Sequence, residues 1–360
     1  MIQPVPQPGI MDIALYQGGK SHVDGVAEVL KLSSNENPLG ACPAAVEAIV
    51  AQATGVHRYP STDHAELRAA IAEVHGLNAD QIICGVGSDE VLQFVSQTFA
   101  GPGDEIIHTE HGFSMYPILA RMAGATPVCV PEVERVVDVD AILNAVSDRT
   151  RVVFIANPGN PTGTMVPADE LARLADALPT SVILVLDGAY TEFVDGFDGG
   201  ASLVEGRPNV LMTRTFSKIY GLGGLRIGWG YGPREMIDVM TRIRQPFNLS
   251  EVQMAAATAA VRDRTWVSDC AALNAEQRTR LIAAMRQLGL ACDDSHGNFV
   301  LVRFADEAEA AAADAALQAL GIIVRRVSGY GFPEGLRITV GDADQTGRVI
   351  AALTQWREGA

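Results

Sequence analysis

From about residue 64 onward, short uninterrupted apolar runs alternate with stretches whose apolar positions recur every three or four residues. The runs are "QIICGVG" (81–87), "DEIIHTE" (104–110), "RVVFIAN" (151–157), "SVILVLD" (181–187), "NVLMTRT" (209–215) and "LRIGWGYG" (225–232). Runs of this length, bounded by Gly and Pro, predict strands buried on both faces of a mostly parallel sheet, with the intervening stretches as flanking helices. Past Pro233 the pattern changes. One long helical stretch is predicted over 250–289, then strands at "GNFVLVRF", "GIIVRRV" and "GLRITVG", with an Ala-rich helix at 305–320. The expected fold class is α/β. An N-terminal arm (1–40) precedes a large unit with a mostly parallel sheet flanked by helices (41–240) and a smaller C-terminal α+β unit (241–360) on which the arm packs back.

Composition narrows the partners more than the fold. The formal net charge of −16 over 360 residues disfavours nucleic acid and anionic membranes. An anionic small molecule would need locally placed cations. The five cysteines are scattered and form no C-x-x-C, which predicts buried thiols in a reducing compartment. The N-terminus lacks the basic segment of a signal peptide, and no uncharged apolar run approaches the ~18 residues of a membrane span. A cytoplasmic protein is expected.

Candidate chemistry gathers at the predicted strand ends, where open α/β sheets bind ligands. Of 27 basic residues only three are lysines, Lys20, Lys31 and Lys218, and the last sits in "TFSKIYGLGGLRIGWG". Lysine, unlike arginine, can lose its proton and act as a nucleophile. Thr215, Ser217 and Arg226 around it could cup a phosphate. "GVGSDE" (85–90) leads from a strand into a helix, whose first N–H groups suit an anion. It is neither a dinucleotide G-x-G-x-x-G nor a P-loop. Asp187 closes an apolar run and reads as a helix cap, half of an ion pair, or the partner of a ligand's cation. Tyr190 offers a phenol from the same loop. Asn157 and Asn160 in "NPGNPTG" read as a turn or as ligand contacts. A phosphate cup, a carboxylate, a phenol and a nucleophilic lysine together suit pyridoxal 5′-phosphate.

In order and spacing, "KLSSNENPLG", "HRYP", "GVGSDE", "HGFSMY", "NPGNPTG", "DGAYTEF", "TFSKIYGLGGLRIG" and "LRITVG" make the chain resemble the fold-type I pyridoxal-phosphate aminotransferases, and among them the histidinol-phosphate aminotransferases. The resemblance implies that Lys218 bonds the cofactor, Asp187 faces the pyridine nitrogen, and Asn160 and Tyr190 hold the 3′ oxygen. Phe113 would stack on the ring, and Ser88, Asp89, Thr215, Ser217 and Arg226 would hold the phosphate. It also implies a homodimer in which Tyr59 reaches the neighbouring subunit's phosphate. Arg337 would bind the substrate carboxylate, and Arg325 and Tyr16 the substrate phosphate. Strand alternation sends Arg325 and Arg326 to opposite faces, and motif position favours Arg325. The implied reaction is transamination between histidinol phosphate and 2-oxoglutarate, giving imidazole-acetol phosphate and glutamate. The alternatives are an aromatic or broad-specificity aminotransferase and, more remotely, a non-catalytic pyridoxal-phosphate-binding regulator. No metal is expected.

Overall fold

A computed structural model describes residues 4–15, 18–22, 25 and 28–359. Each apolar run forms a strand within one or two residues of its expected limits, except that the run 225–232 becomes extended three residues late, at Gly228. In spatial order the seven-stranded sheet is Ile82–Gly85, Gly228–Tyr231, Val210–Thr215, Ile183–Asp187, Thr150–Ala156, Glu105–Thr109 and Thr126–Val130. Gly228–Tyr231 runs antiparallel to both neighbours and every other pairing is parallel. The continuous hydrophobicity has the expected cause. Val152 and Phe154 pack into one core beneath the sheet, while Val153 and Ile155 pack into another above it. The edge strand Thr126–Val130, with its mixed burial, is an addition to the sequence expectation.

A second, four-stranded antiparallel sheet orders Ala291–Cys292, Phe299–Arg303, Phe332–Thr339 and Arg325–Val327. Its core includes Val300, Val302, Leu336 and Ile338, against Met285 and Leu317 from the covering helices. The arm is tied to this part of the molecule, because Leu30–Lys31 pairs in parallel with Ile322–Ile323.

Two expectations need correction. The helical stretch 250–289 is two helices, Glu251–Arg262 and Arg264–Gln287, broken at Asp263, whose carboxylate caps the second by accepting from the Trp266 N–H at 3.0 Å. Of the five free thiols, Cys129 is exposed and the other four are buried. Among the described residues no helix is long and apolar enough to cross a membrane, and no group of His, Cys, Asp and Glu is placed to hold a metal.

Candidate active site

The carboxyl ends of the central parallel strands open on a cleft of about 490 Å³. Its floor is built by three of them. Ile183–Asp187 delivers Asp187, Val210–Thr215 delivers Thr215 and then the loop to Lys218, and Thr150–Ala156 leads to Asn160.

Asp187 is buried, and its carboxylate accepts from Tyr116 Oη at 2.9 Å and Thr213 Oγ1 at 3.3 Å. Burial pushes its pKa up to about 6, against the lowering effect of the Tyr116 bond. Lys218 is half-buried, with Nζ donating to the Ser34 carbonyl at 3.3 Å and lying 5.7 Å from the Tyr190 ring centroid. Burial pulls its pKa down to about 8, with the Arg337 charge acting in the same direction. The ammonium is therefore poised to release its proton near neutrality. Tyr190 is buried and its hydroxyl accepts from Asn35 Nδ2 at 2.9 Å.

One end of the cleft is an anion cradle. The helix Gly87–Phe99 begins there, so the N–H groups of Ser88 and Asp89 fall in its first turn, where no intrahelical acceptor exists. Arg226 closes the cradle from a left-handed conformation (φ 54°), with Nη1 on Ser217 Oγ at 3.1 Å and Nη2 on Asp89 Oδ2 at 2.9 Å. The sequence placed Arg226 at the start of a strand. It lies instead just before the strand Gly228–Tyr231, and the kink turns its side chain to the helix terminus. Two glycines make the approach possible. A Cβ on Gly228 would meet Ser88 N at 2.1 Å, and one on Gly87 would meet Arg226 Nη2 at 2.6 Å.

The opposite wall comes from the four-stranded sheet. Arg325 and Arg337 are direct cross-strand partners, and both line the cleft. Like charges at that spacing are unfavourable in a sheet, and an anion in the cleft would offset the repulsion. Arg337 is held by Asn160 Oδ1 at 2.6 Å and by the Ser33 carbonyl at 2.9 Å. That contact takes up the Asn160 carbonyl and leaves its amide N–H groups for the cleft. Arg326 turns away, donating to Glu307 Oε1 at 3.0 Å, as strand alternation requires.

The cleft thus brings together Ser88, Asp89, Phe113, Asn160, Asp187, Tyr190, Thr215, Ser217, Lys218, Arg226, Arg325 and Arg337. Tyr59 is not among them. It stands 83% exposed, its ring tilted by 31° against Phe247 with centroids 4.6 Å apart. Tyr16 lies outside the described residues. Sequence reasoning missed Tyr116 and Asn35, which bond Asp187 and Tyr190, and Tyr330, which also lines the cleft. The first two lie within motifs quoted above, but what they touch is remote in sequence.

A family model for aminotransferase class I and II matches residues 27–353. The chain belongs to that family. This class I and II aminotransferase is 70% identical over 358 residues to a histidinol-phosphate aminotransferase of Ruegeria pomeroyi, with 99% of each chain covered. It is 63% identical over 349 residues to one of Jannaschia sp., with 97% of each covered. A crystal structure of histidinol-phosphate aminotransferase from Sinorhizobium meliloti, in complex with pyridoxal-5′-phosphate, matches with a TM-score of 0.90 at 27% identity, over 98% of this chain and 97% of that one. The aminotransferase cleft described here fits that group on its own chemistry. It has an anion cradle that two added Cβ atoms would fill, a buried carboxyl in want of a cation, a depressed amine, and a volume suited to a small-molecule site.

Proposed function

We propose that this aminotransferase transfers the amino group of L-histidinol phosphate to 2-oxoglutarate, using pyridoxal 5′-phosphate held in the cleft. Pyridoxal phosphate, when bound, supplies an aldehyde that takes up the amino group and a ring that accepts electrons. Lys218 Nζ takes the proton from the donor's Cα, for which its lowered pKa suits it. The Asp187 carboxylate holds a proton on the ring nitrogen, with Tyr116 and Thr213 fixing its orientation. Tyr190 Oη and the Asn160 amide hold the ring's 3′ oxygen, and Phe113 covers the ring face. Thr215, Ser217, Arg226 and the N–H groups of Ser88 and Asp89 hold the phosphate. The large unit (41–240) thus carries the cofactor, while the arm and the small unit (241–360) close over the substrate.

The observation that carries the substrate reading is the Arg325–Arg337 pair facing the cleft, in a chain so similar to the Ruegeria enzyme. The donor has a phosphate and no carboxylate, whereas the acceptor has two carboxylates. Adjacent guanidinium groups bind either anion in bidentate fashion. The same reading puts the protein in the cytoplasm as a homodimer, with the exposed Tyr59 meeting a second copy.

The test is an absorption spectrum of the purified protein before and after each donor. Loss of the visible cofactor band with histidinol phosphate, and its persistence with phenylalanine, is expected. Equal loss with both would favour the aromatic or broad-specificity alternative. Arg337→Ala should raise KM for histidinol phosphate and for 2-oxoglutarate alike, each by about tenfold or more.

A further inference from the structure

A charged cluster to which the chemistry above gives no role lies on the far side of the strand Val210–Thr215. Alternation along this strand turns Thr213 to Asp187 and Thr215 to the cleft, and sends Arg214 the other way. There it meets Glu192, Nη1 to Oε1, at 3.6 Å, the two side chains being only 6% and 5% exposed. Arg214 also donates through Nη2 to the Asp198 carbonyl at 2.8 Å and through Nη1 to His75 Nδ1 at 3.3 Å. Its guanidinium lies 5.6 Å from the Trp229 ring centroid. Burial, with Arg214 alongside, drives the His75 pKa down to about 3, so this imidazole is a neutral acceptor. The pair borders a cavity of about 300 Å³ that His75 and Thr191 also line, polar and roomy enough for ordered water.

The position of the pair along the chain is informative. Glu192 belongs to the short 3-10 turn Thr191–Phe193 that follows Asp187 and Tyr190. Arg214 comes just before Thr215 and the loop to Lys218. Tyr220, just past Lys218, is buried and within reach of both charges. The pair therefore ties together, from behind, the two loops that carry the reacting groups. It is poor glue. Apolar residues of similar volume in place of a buried ion pair are often neutral or stabilising, and 3.6 Å is not close contact.

We propose that Arg214 and Glu192 are positioning residues, holding the Asp187–Tyr190 loop and the Lys218 loop in register across the back of the cleft. The inference rests on the aminotransferase reading of that cleft, and on no particular donor. Its test therefore uses glutamate, which runs the 2-oxoglutarate half-reaction in reverse, giving its amino group to the cofactor and leaving 2-oxoglutarate. The R214M/E192L double variant and E192Q are loaded with pyridoxal phosphate. Three quantities are compared with the parent protein: thermal unfolding, the single-turnover rate and half-saturation with glutamate, and the pH at which the visible band titrates.

The double variant should unfold at the parent temperature or above it. Its single-turnover rate should fall by about tenfold or more, because sub-ångström misplacement of reacting groups is costly. Half-saturation should move by less than about threefold, and the titration should shift. E192Q, which keeps size and loses charge, should show the same pattern. A folded double variant with the parent rate and titration would overturn the proposal. Should the double variant fail to fold, E192Q decides alone, parent-like rate and titration again overturning it. A parent protein inert to glutamate is a different failure, and would remove the reading on which the inference stands.

Discussion

The proposed role of Asp187 asks it to carry a negative charge at a buried position. In the cofactor-free chain its pKa is raised to about 6 by burial, so it keeps its proton to a higher pH than an ordinary carboxyl. The sign follows. The stability due to this group is fully present below the ordinary carboxylate range and is lost as pH rises through about 6. A cation on a ligand's ring nitrogen reverses the preference, because the ionised carboxylate then has a partner. Cofactor affinity should therefore climb as pH rises through about 6, measured as Kd by quenching of protein fluorescence. In Asp187→Asn that step should vanish, and kcat should fall by about 10²-fold or more, since an amide cannot supply the charge. An unchanged step in the variant would locate the titration elsewhere, on the cofactor's own phosphate for example. Lys218 contributes a second rise near about 8, where its amine becomes neutral, and Asp187→Asn should leave that one in place.

The anion cradle depends on two elements meeting closely: the N-terminus of helix Gly87–Phe99 and the strand Gly228–Tyr231. Gly228→Ala would put a methyl 2.1 Å from Ser88 N, so backbone must move. Overpacking of this kind costs about 1–3 kcal/mol, and the displaced atoms are the phosphate's proposed donors. Equilibrium dialysis should show pyridoxal phosphate bound about tenfold or more weaker. Gly224→Ala is the control, because a Cβ there meets nothing within 4 Å. This scale also shows what the sequence could carry. Strands buried on both faces announce themselves as unbroken apolar runs, and chemical residues at their ends follow directly, so Asp187, Thr215 and Lys218 were legible. The break at Asp263 was not, because apolar periodicity continues through both helices and only the cap marks the boundary. Tyr116 on Asp187 and Asn35 on Tyr190 escaped because each pairing joins segments far apart in the chain. No local pattern encodes which distant side chain will arrive. The Arg325–Arg337 pairing has the same character. Both residues were named from their motifs, but their adjacency exists only once the strand register is known.

For the whole molecule, the telling feature is an apolar face that the described residues do not cover. Val46, Val50 and Val56 are 45%, 69% and 70% exposed, on and just after the helix Pro43–Gln52, and Tyr59 follows. The opposite side of that helix packs on the helix Glu251–Arg262 within the chain, so the exposed valines play no part in the chain's own core. Were the protein a monomer, Val50→Glu would be a surface change, within about 0.5 kcal/mol of neutral. If a second copy covers the face, two-fold symmetry places the substitution in the interface twice. Each buried, unpaired carboxylate then costs several kcal/mol. Tyr59 gives the dimer a functional consequence, since it stands outside its own cleft and is proposed to complete the neighbour's phosphate site. Sedimentation should therefore show the parent at twice its 38.2 kDa chain mass and Val50→Glu at the single-chain mass, with far-ultraviolet circular dichroism unchanged. The dissociated variant should bind pyridoxal phosphate more weakly although every residue lining its own cleft is intact. A monomeric parent, or a dissociated variant with normal cofactor affinity, would remove the second copy from the account of the site and leave Tyr59 without a role in it.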